Sequence, residues 1–487
     1  MRKTTALFLS VILICVSLYS YAFAETNKEK DNVIITESHI YGDKSLAENV
    51  DIKINMQYRE NLLWKMNYSI DDGITKTDFS IHKNRIERDY ENNSSFNLYT
   101  DLHYEEENLA DTGINKAYKD IMKNAEPYAD VRKTIRLIDY MDYYPITVDC
   151  YFPEVFSIAA GTALINTAYI TDSTENELVT AIGEFFKIPV MKSHEMEIYA
   201  LVDENRNVIH TGSSSNDGTR ELDEFNFSAS SVITDKECFI YFSNKTRFGN
   251  IADTSEIPGG YGIYRLPYSQ DKSTKAMKFS CESLKNVFQL DEKEEIQQLE
   301  LSADKKSLYM ISQNGNNIYL TVIDVESFEE KAKITLSEIE GQDCGFGYID
   351  EKFIVINHWH ENYDERFSLY LPDGKGGFKE EFSTYAYSED GAYEDTNGNT
   401  CYPGASIYMY SNADVKWDGE YLYVTNGSSR FRRPAEYNSF SLAIFNKDGL
   451  RFRGQYYTSL SAGFDGYQSS SYYVFLSQHD TIDIVLG

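Results

Sequence analysis

Cysteine and proline are scarce in this chain and basic side chains are outnumbered, and each shortage removes a class of protein. Six cysteines occur in 487 residues, dispersed at Cys15, Cys150, Cys238, Cys281, Cys344 and Cys401 with no Cys-x-x-Cys pair. That spacing excludes a zinc ribbon and a disulfide-dense scaffold. Lys and Arg number 46 against 77 Asp and Glu, a net charge of −31, which argues against nucleic acid and anionic membrane as partners, since both reward clustered cations. Catalytic signatures are missing as well. There is no Gly-x-Ser-x-Gly elbow, no His-Glu-x-x-His, no Gly-x-x-x-x-Gly-Lys-Ser/Thr loop and no dinucleotide glycine fingerprint.

One long apolar run is present, at the N-terminus. Arg2 and Lys3 precede an uncharged stretch, residues 4–24, that ends in Ala22-Phe23-Ala24 before Glu25. A basic end, an apolar middle and small residues at the last and third-last positions predict a signal peptide over residues 1–24. The alternative reading is an uncleaved anchor, since the run is long enough to span a bilayer. Cys15 is no lipid attachment site, because Ile14 stands where a small residue is needed. After cleavage no integral span remains; the apolar stretch 155–170 is short and carries Ser157, Thr162, Asn166 and Thr167. The expected location is secreted or cell surface, where strong acidity keeps the chain soluble.

What is abundant is β pattern. Thirty-nine tyrosines and only nine prolines suit strands with half-exposed aromatic faces. Four stretches repeat an acidic turn, an apolar strand, a loop and a second apolar strand: 235–244 with 260–266, 304–312 with 317–324, 350–357 with 366–371, and 418–426 with 439–446. One such unit cannot bury its own apolar face, so it must stack on copies of itself. The clearest copy predicts four strands at 299–303, 307–312, 317–324 and 331–336. The fold class that follows is all-β dominated, a β-propeller of six to eight blades with seven favoured. Residues 25–225 form an N-terminal meander and helical part that contributes blades, and residues 226–487 form the propeller repeats.

In the N-terminal part, Val50, Ile52, Ile54 and Met56 alternate, then Leu62, Trp64, Met66 and Tyr68, and Asp71-Asp72-Gly73 turns the chain toward Phe79 and Ile81. Two helices interrupt the strands. Ile114, Ala117, Tyr118, Ile121 and Ala125 recur at helical spacing, as do Leu178, Ile182, Phe185 and Phe186 behind the capping pair Thr174 and Glu177. Strands are expected at 135–139, 146–152, 197–202 and 207–211. A strand at 33–36 is expected to close the ring and remove an open edge near the C-terminus.

The run Leu301-Ser302-Ala303-Asp304-Lys305-Lys306-Ser307-Leu308-Tyr309, followed by Tyr319-Leu320-Thr321-Val322-Ile323-Asp324, resembles the YVTN-type propeller repeat. Tyr421-Leu422-Tyr423-Val424-Thr425-Asn426 is similar to its name sequence. The resemblance covers about half of the chain, residues 226–460, and no part before Phe225. It implies a propeller fold. Members of that family include surface-layer, lactonase-like and cofactor-bearing proteins, so the resemblance implies no single activity.

Candidate sites lie on loops between second and third strands and on the connector 385–412, which together enlarge one mouth. His358 and His360, two residues apart beside Glu361 and Asp364, offer part of a metal site or a general base, or else a plain polar hairpin. Trp359 is either core or a stacking platform. Arg430, Phe431, Arg432 and Arg433 form the one basic cluster, suited to a carboxylate or phosphate or to internal pairing with neighbouring acids, and Arg247 sits on the loop 245–259. Glu394, Asp395, Asn397 and Asn399 present oxygens at the alternating spacing of calcium loops, without the turn glycine and closing glutamate, so Ca2+ binding and a solvated acidic loop both stand. Cys238 and Cys281 are placed two strands apart in one sheet, too far to bridge, and Cys344 with Cys401 in connectors is the only pair to consider.

The leading reading is an exported, non-catalytic propeller that binds a protein, peptide or glycan on its loop-rich face. The runner-up is a propeller hydrolase, lactonase or lyase acting on an acidic small molecule through His358, His360, Arg432 and Arg433. A third is a calcium-stabilised cell-surface module.

Overall fold

Antiparallel meanders account for most of the described residues, and every strand pairing in the major sheets is antiparallel. The computed structural model describes residues 2–29, 33–58, 62–81, 95–100, 102, 113–123, 125–151, 153–157, 163–167, 172–214, 225–246, 249–270, 277–360, 365–394, 400–404, 413–428, 439–458 and 481–487. The fold is all-β with few helices: apart from the N-terminal Arg2–Glu29, the described α-helices are Gly113–Met122 and Asp172–Phe185. Two compact units form. One comprises Met1–Arg88, Val155–Leu164 and Gly341–Gly487, the other Asp89–Glu154 and Ile165–Glu340. The division expected at 225/226 falls inside the second unit.

The first unit holds three large sheets. Sheet A orders Thr481–Leu486, Val50–Tyr58, Leu62–Ser69 and Thr75–Ile81. Sheet B orders Gln342–Ile349, Ile354–His360, Arg366–Pro372 and Phe378–Tyr385. Sheet C orders Ile35–Gly42, Gly449–Thr458, Ser439–Asn446, Leu422–Ser428 and Ala413–Trp417. Successive side chains of a strand point to opposite faces, and the strand Ser439–Asn446 shows what this achieves. Phe440, Leu442 and Ile444 pack with Val50, Ile52, Tyr68 and Ile484 of sheet A, while Ala443 and Phe445 pack with Phe367, Leu369 and Phe382 of sheet B. Sheet C is therefore covered on both faces. The Phe367 and Phe445 rings meet edge to face at 4.9 Å, and replacing either by Ala costs about 3–5 kcal/mol.

Both chain ends are woven into this unit. The sequence places the closing strand at 33–36; the strand runs instead over Ile35–Gly42 and pairs with Gly449–Thr458. The C-terminal Thr481–Leu486 pairs with Val50–Tyr58, so the late strand is completed by the early meander. At the end of the strand Ile35–Gly42, Gly42, at φ +78, brings its backbone against Arg451, where an added Cβ would sit 2.0 Å from the carbonyl oxygen.

In the second unit, sheet D orders Glu294–Leu301, Ser307–Asn314, Asn317–Asp324 and Glu330–Ser337, close to the strands expected from the clearest repeat. A larger, seven-stranded sheet carries Glu237–Phe242 and Gly262–Gln270, and a three-stranded sheet pairs Glu195–Val202 with Asp130–Arg136 and Val208–Ser214. The strand expected at 135–139 ends at Arg136, and Leu137–Asp139 forms a 3-10 turn. Both described internal helices supply one apolar face to this core, through Ile114, Tyr118 and Ile121 and through Leu178 and Ile182, with Phe186 just past the second helix beside them.

The repeated acidic turns have a local cause. Asp304 Oδ1 accepts from the Lys306 N–H at 3.1 Å, Asp350 Oδ1 from the Lys352 N–H at 3.0 Å, and Asp418 Oδ1 from the N–H groups of Glu420 and Tyr421 at 2.8 and 2.7 Å. A carboxylate that bonds the backbone two residues ahead fixes the turn that reverses the strand.

Candidate functional site

The central residue of the histidine pair lies inside sheet B. His358 stands directly opposite Cys344, and its ring bridges two neighbouring strands: Nδ1 lies 3.2 Å from Cys344 Sγ and Nε2 lies 2.9 Å from Ser368 Oγ. His358 is 6% exposed and Ser368 1%. Burial, assisted by the Arg366 charge, pushes the imidazole down to about 4, and burial with Asp343 nearby pushes the Cys344 thiol up to about 12. At neutral pH the row is uncharged. A neutral imidazole donates from one nitrogen and accepts at the other, so thiol, ring and hydroxyl form one satisfied hydrogen-bond row. The sequence places His358 at a hairpin tip, as a solvent-facing ligand or base; the strand continues through it to His360, and the ring is enclosed. Trp359 is half-buried and opposes Asp343 on the other face.

Several expected site residues fall outside the described residues: Arg247, Arg430, Phe431, Arg432, Arg433, Asp395, Asn397 and Asn399, together with the side chain of His360. Glu394 is exposed and opposes Thr400 in a two-stranded ribbon, Tyr393–Glu394 with Thr400–Cys401. Among the described residues no group of three or more His, Cys, Asp or Glu side chains is placed to hold a metal ion. The Cys344–Cys401 pairing does not form: no disulfide joins them, and Cys344 lies within a strand of sheet B, not in a connector. Cys281 lies in a 3-10 turn ahead of the fourth strand it was assigned to, and it and Cys238 are not joined either.

The connector after sheet B carries a feature the sequence reading passed over. Tyr385, the last residue of sheet B, is 44% exposed, and the Arg366 guanidinium lies over its ring at 4.8 Å. Tyr387 follows at 5.9 Å from Tyr385, and Tyr402, 51% exposed, lies 5.9 Å from Tyr387. Three rings thus form a ridge. Its base is fixed by backbone: Ala386 N–H donates to Glu365 O at 3.0 Å, Ser388 N–H donates to Pro403 O at 2.9 Å, and Tyr387 bridges Gly404. An added Cβ at Gly404 would lie 2.5 Å from the Ala386 carbonyl oxygen, so only glycine lets the two segments approach this closely. The signal was visible as four tyrosines between 385 and 402, in a connector expected to enlarge the binding mouth but with only its acids and amides named as ligands.

Beneath the connector, sheet C presents Tyr41 opposite Arg453. Tyr41 Oη lies 3.0 Å from Ser388 Oγ. Arg453 Nε donates to Gly404 O at 3.1 Å and Nη2 to Gln455 Oε1 at 3.1 Å, while Nη1 is buried with no partner. The residue is 9% exposed.

No protein-family model matches this chain, and no curated protein matches its sequence. Among solved structures, the chain is similar to a protein assigned as a 6-phosphogluconolactonase from Bacteroides fragilis NCTC 9343, at 10% identity and TM-score 0.29, covering 84% of this chain and 95% of that one. A second protein of the same assignment, from Bacteroides uniformis ATCC 8492, matches at 10% identity and TM-score 0.27, covering 83% and 95%. The periplasmic gluconolactonase of Pseudomonas aeruginosa matches at 10% identity and TM-score 0.19, covering 68% and 96%. At these scores the likeness bears on neither substrate nor chemistry, and the site itself must carry the reading.

Proposed function

We propose that this protein is an exported β-propeller that binds a glycan on the ridge formed by Tyr385, Tyr387 and Tyr402. Export is supported by the helix Arg2–Glu29, whose apolar window Phe8–Glu25 is wholly unburied and lies at the N-terminus. The propeller is supported by four- and five-stranded meanders stacked face to face and by the entry of an early strand and the last strand into sheets of one unit.

The ridge carries the binding reading. A sugar ring offers a face of C–H groups with a weakly positive edge, which suits the negative face of an exposed phenol, and the phenol hydroxyl at the rim meets the sugar hydroxyls. Rings held on a glycine-tight ribbon lose little entropy on binding, because they are ordered beforehand. The hydrolytic alternative draws no support from His358, whose two nitrogens are occupied inside the sheet.

The test is calorimetric titration of the full chain with a panel of neutral and acidic oligosaccharides, repeated with Tyr385→Ala/Tyr402→Ala. Binding by the parent and its loss in the double variant are expected. A panel without any binder, or a double variant that binds as tightly as the parent, overturns the reading.

A further inference from the structure

We infer that Arg366 is an anion anchor beside the ridge, and that the glycan bound there carries a single carboxylate, as in one uronic acid unit on a neutral chain. The inference rests on the ridge reading and adds a charge requirement to it.

Arg366 is exposed, stands opposite Tyr385 across neighbouring strands of sheet B, and holds its guanidinium over that ring at 4.8 Å. Tyr385 itself stays 44% exposed. Cation and ring therefore face solvent side by side. A sugar ring is about as wide as a phenol ring, so a carboxyl group on a sugar stacked at Tyr385 comes within reach of the guanidinium.

Two other cations in this chain lie over strand tyrosines, and both take an acid as well. Arg132 sits over Tyr199 at 5.2 Å and donates from Nε and Nη2 to the Asp130 carboxylate at 3.2 and 3.1 Å. Lys333 sits over Tyr319 at 4.5 Å and donates to both Glu294 oxygens at 2.7 and 2.9 Å. Arg366 has the ring without the acid: among the described residues its side chain makes no ion pair and donates no hydrogen bond. A ligand carboxylate supplies there what Asp130 supplies at Arg132.

The guanidinium also selects the kind of anion. Lying on an aromatic face, it keeps its N–H donors in its own plane, as a fork that fits the two oxygens of a carboxylate with parallel bonds. An exposed ion pair between flexible side chains is worth little. Stacking orders this arginine beforehand, so less freedom is lost when the anion arrives. Charge elsewhere limits the ligand to one carboxylate. The connector that carries Tyr387 and Tyr402 also carries Glu389, Asp390 and Glu394, all exposed, and a sugar charged along its whole length meets their repulsion.

The experiment is calorimetric titration of the full chain with xylotriose bearing one glucuronosyl unit, and with the same sugar after reduction of its carboxyl group. The acidic sugar is expected to bind about tenfold tighter, the scale of one charge-assisted contact. Arg366→Gln is expected to erase that preference, and Arg366→Lys, which keeps the charge but not the fork, to keep part of it. In the parent the preference should shrink as NaCl rises from about 50 to about 500 mM. Trigalacturonate, charged on every unit, is expected to bind more weakly than the singly charged sugar. Equal affinity of the parent for the matched pair, a preference that survives Arg366→Gln, or one indifferent to salt overturns the inference while the ridge reading stands. So does tighter binding of trigalacturonate, or binding confined to neutral glycans and lost in Tyr385→Ala/Tyr402→Ala. If no glycan binds at all, the ridge reading fails and this inference with it.

Discussion

Asp414 Oδ2 accepts a 2.8 Å hydrogen bond from the backbone N–H of Ile484, joining sheet C to the outer edge of the C-terminal strand. The same carboxylate accepts from Tyr348 Oη at 3.1 Å and from the Val415 N–H at 3.0 Å, and Lys416 Nζ lies 3.0 Å away. Three sheets of one unit thus meet on one side chain. Asp414→Ala leaves an edge N–H and a half-buried phenol without a partner, and is expected to lower stability by about 3 kcal/mol. Asp414→Asn, which keeps an acceptor, is expected to cost about 1 kcal/mol. Urea unfolding of the two variants measures both; equal, near-zero losses mean that the edge is held by apolar packing alone.

His358 makes stability depend on pH. Its pKa is near 6.5 when unfolded and about 4 in the fold, so between those values the unfolded chain binds a proton that the folded chain refuses. Acid therefore favours unfolding in that window: the contribution is complete above 6.5 and lost as pH falls toward 4. Linkage puts the loss at about 2 kcal/mol by pH 5. His358→Gln is expected to be less stable than the parent at pH 7.5 and to close that gap by pH 5. A gap that stays constant with pH refutes the assignment.

Thiol chemistry provides a third check. With its thiol pushed up to about 12, Cys344 at pH 7.5 carries roughly a thousandfold less thiolate than an ordinary cysteine. Iodoacetamide on the native protein is expected to spare Cys344 and Cys238, both buried, while Cys150, Cys238, Cys281, Cys344 and Cys401 all alkylate in denaturant without reductant. Mass spectrometry of tryptic peptides reads the result, and a peptide missing unless reductant is added would mean a disulfide.

Tyr402→Ala separates binding from folding. A half-exposed ring just past the ribbon strand Thr400–Cys401 contributes little to the core, so a stability change within about 0.5 kcal/mol is expected. Affinity for the bound glycan should fall by about tenfold, the scale of a single aromatic anchor. Unfolding and titration on the same preparation distinguish this from a general loss of structure.

The strands were legible where one face is apolar and the turn chemistry is local. Asn317–Asp324 matches the expected span at both ends because Gly315 and the Asp324 turn punctuate it. The helix Asp172–Phe185 and the hairpin Val50–Tyr58 with Leu62–Ser69 follow from periodicity alone. The site was poorly legible. His358 and a surface hairpin histidine look alike in sequence, since a strand residue near a loop is buried or exposed according to which sheet covers it. The tyrosine ridge was hidden for a related reason: its rings come from both arms of a ribbon whose pairing through Gly404 no local pattern announces.

By itself, then, the order of residues decided the N-terminal apolar helix, the excess of negative charge, the acidic turns and the repeated strand pairs, all of which arise from neighbours within a few positions. Tertiary structure decided which strand each chain end would join, that His358 would be neutral and enclosed, and that Arg453 would be sheltered without an acid. Those outcomes depend on which groups from distant parts of the chain exclude water from one another, and such exclusion exists only once the sheets have packed.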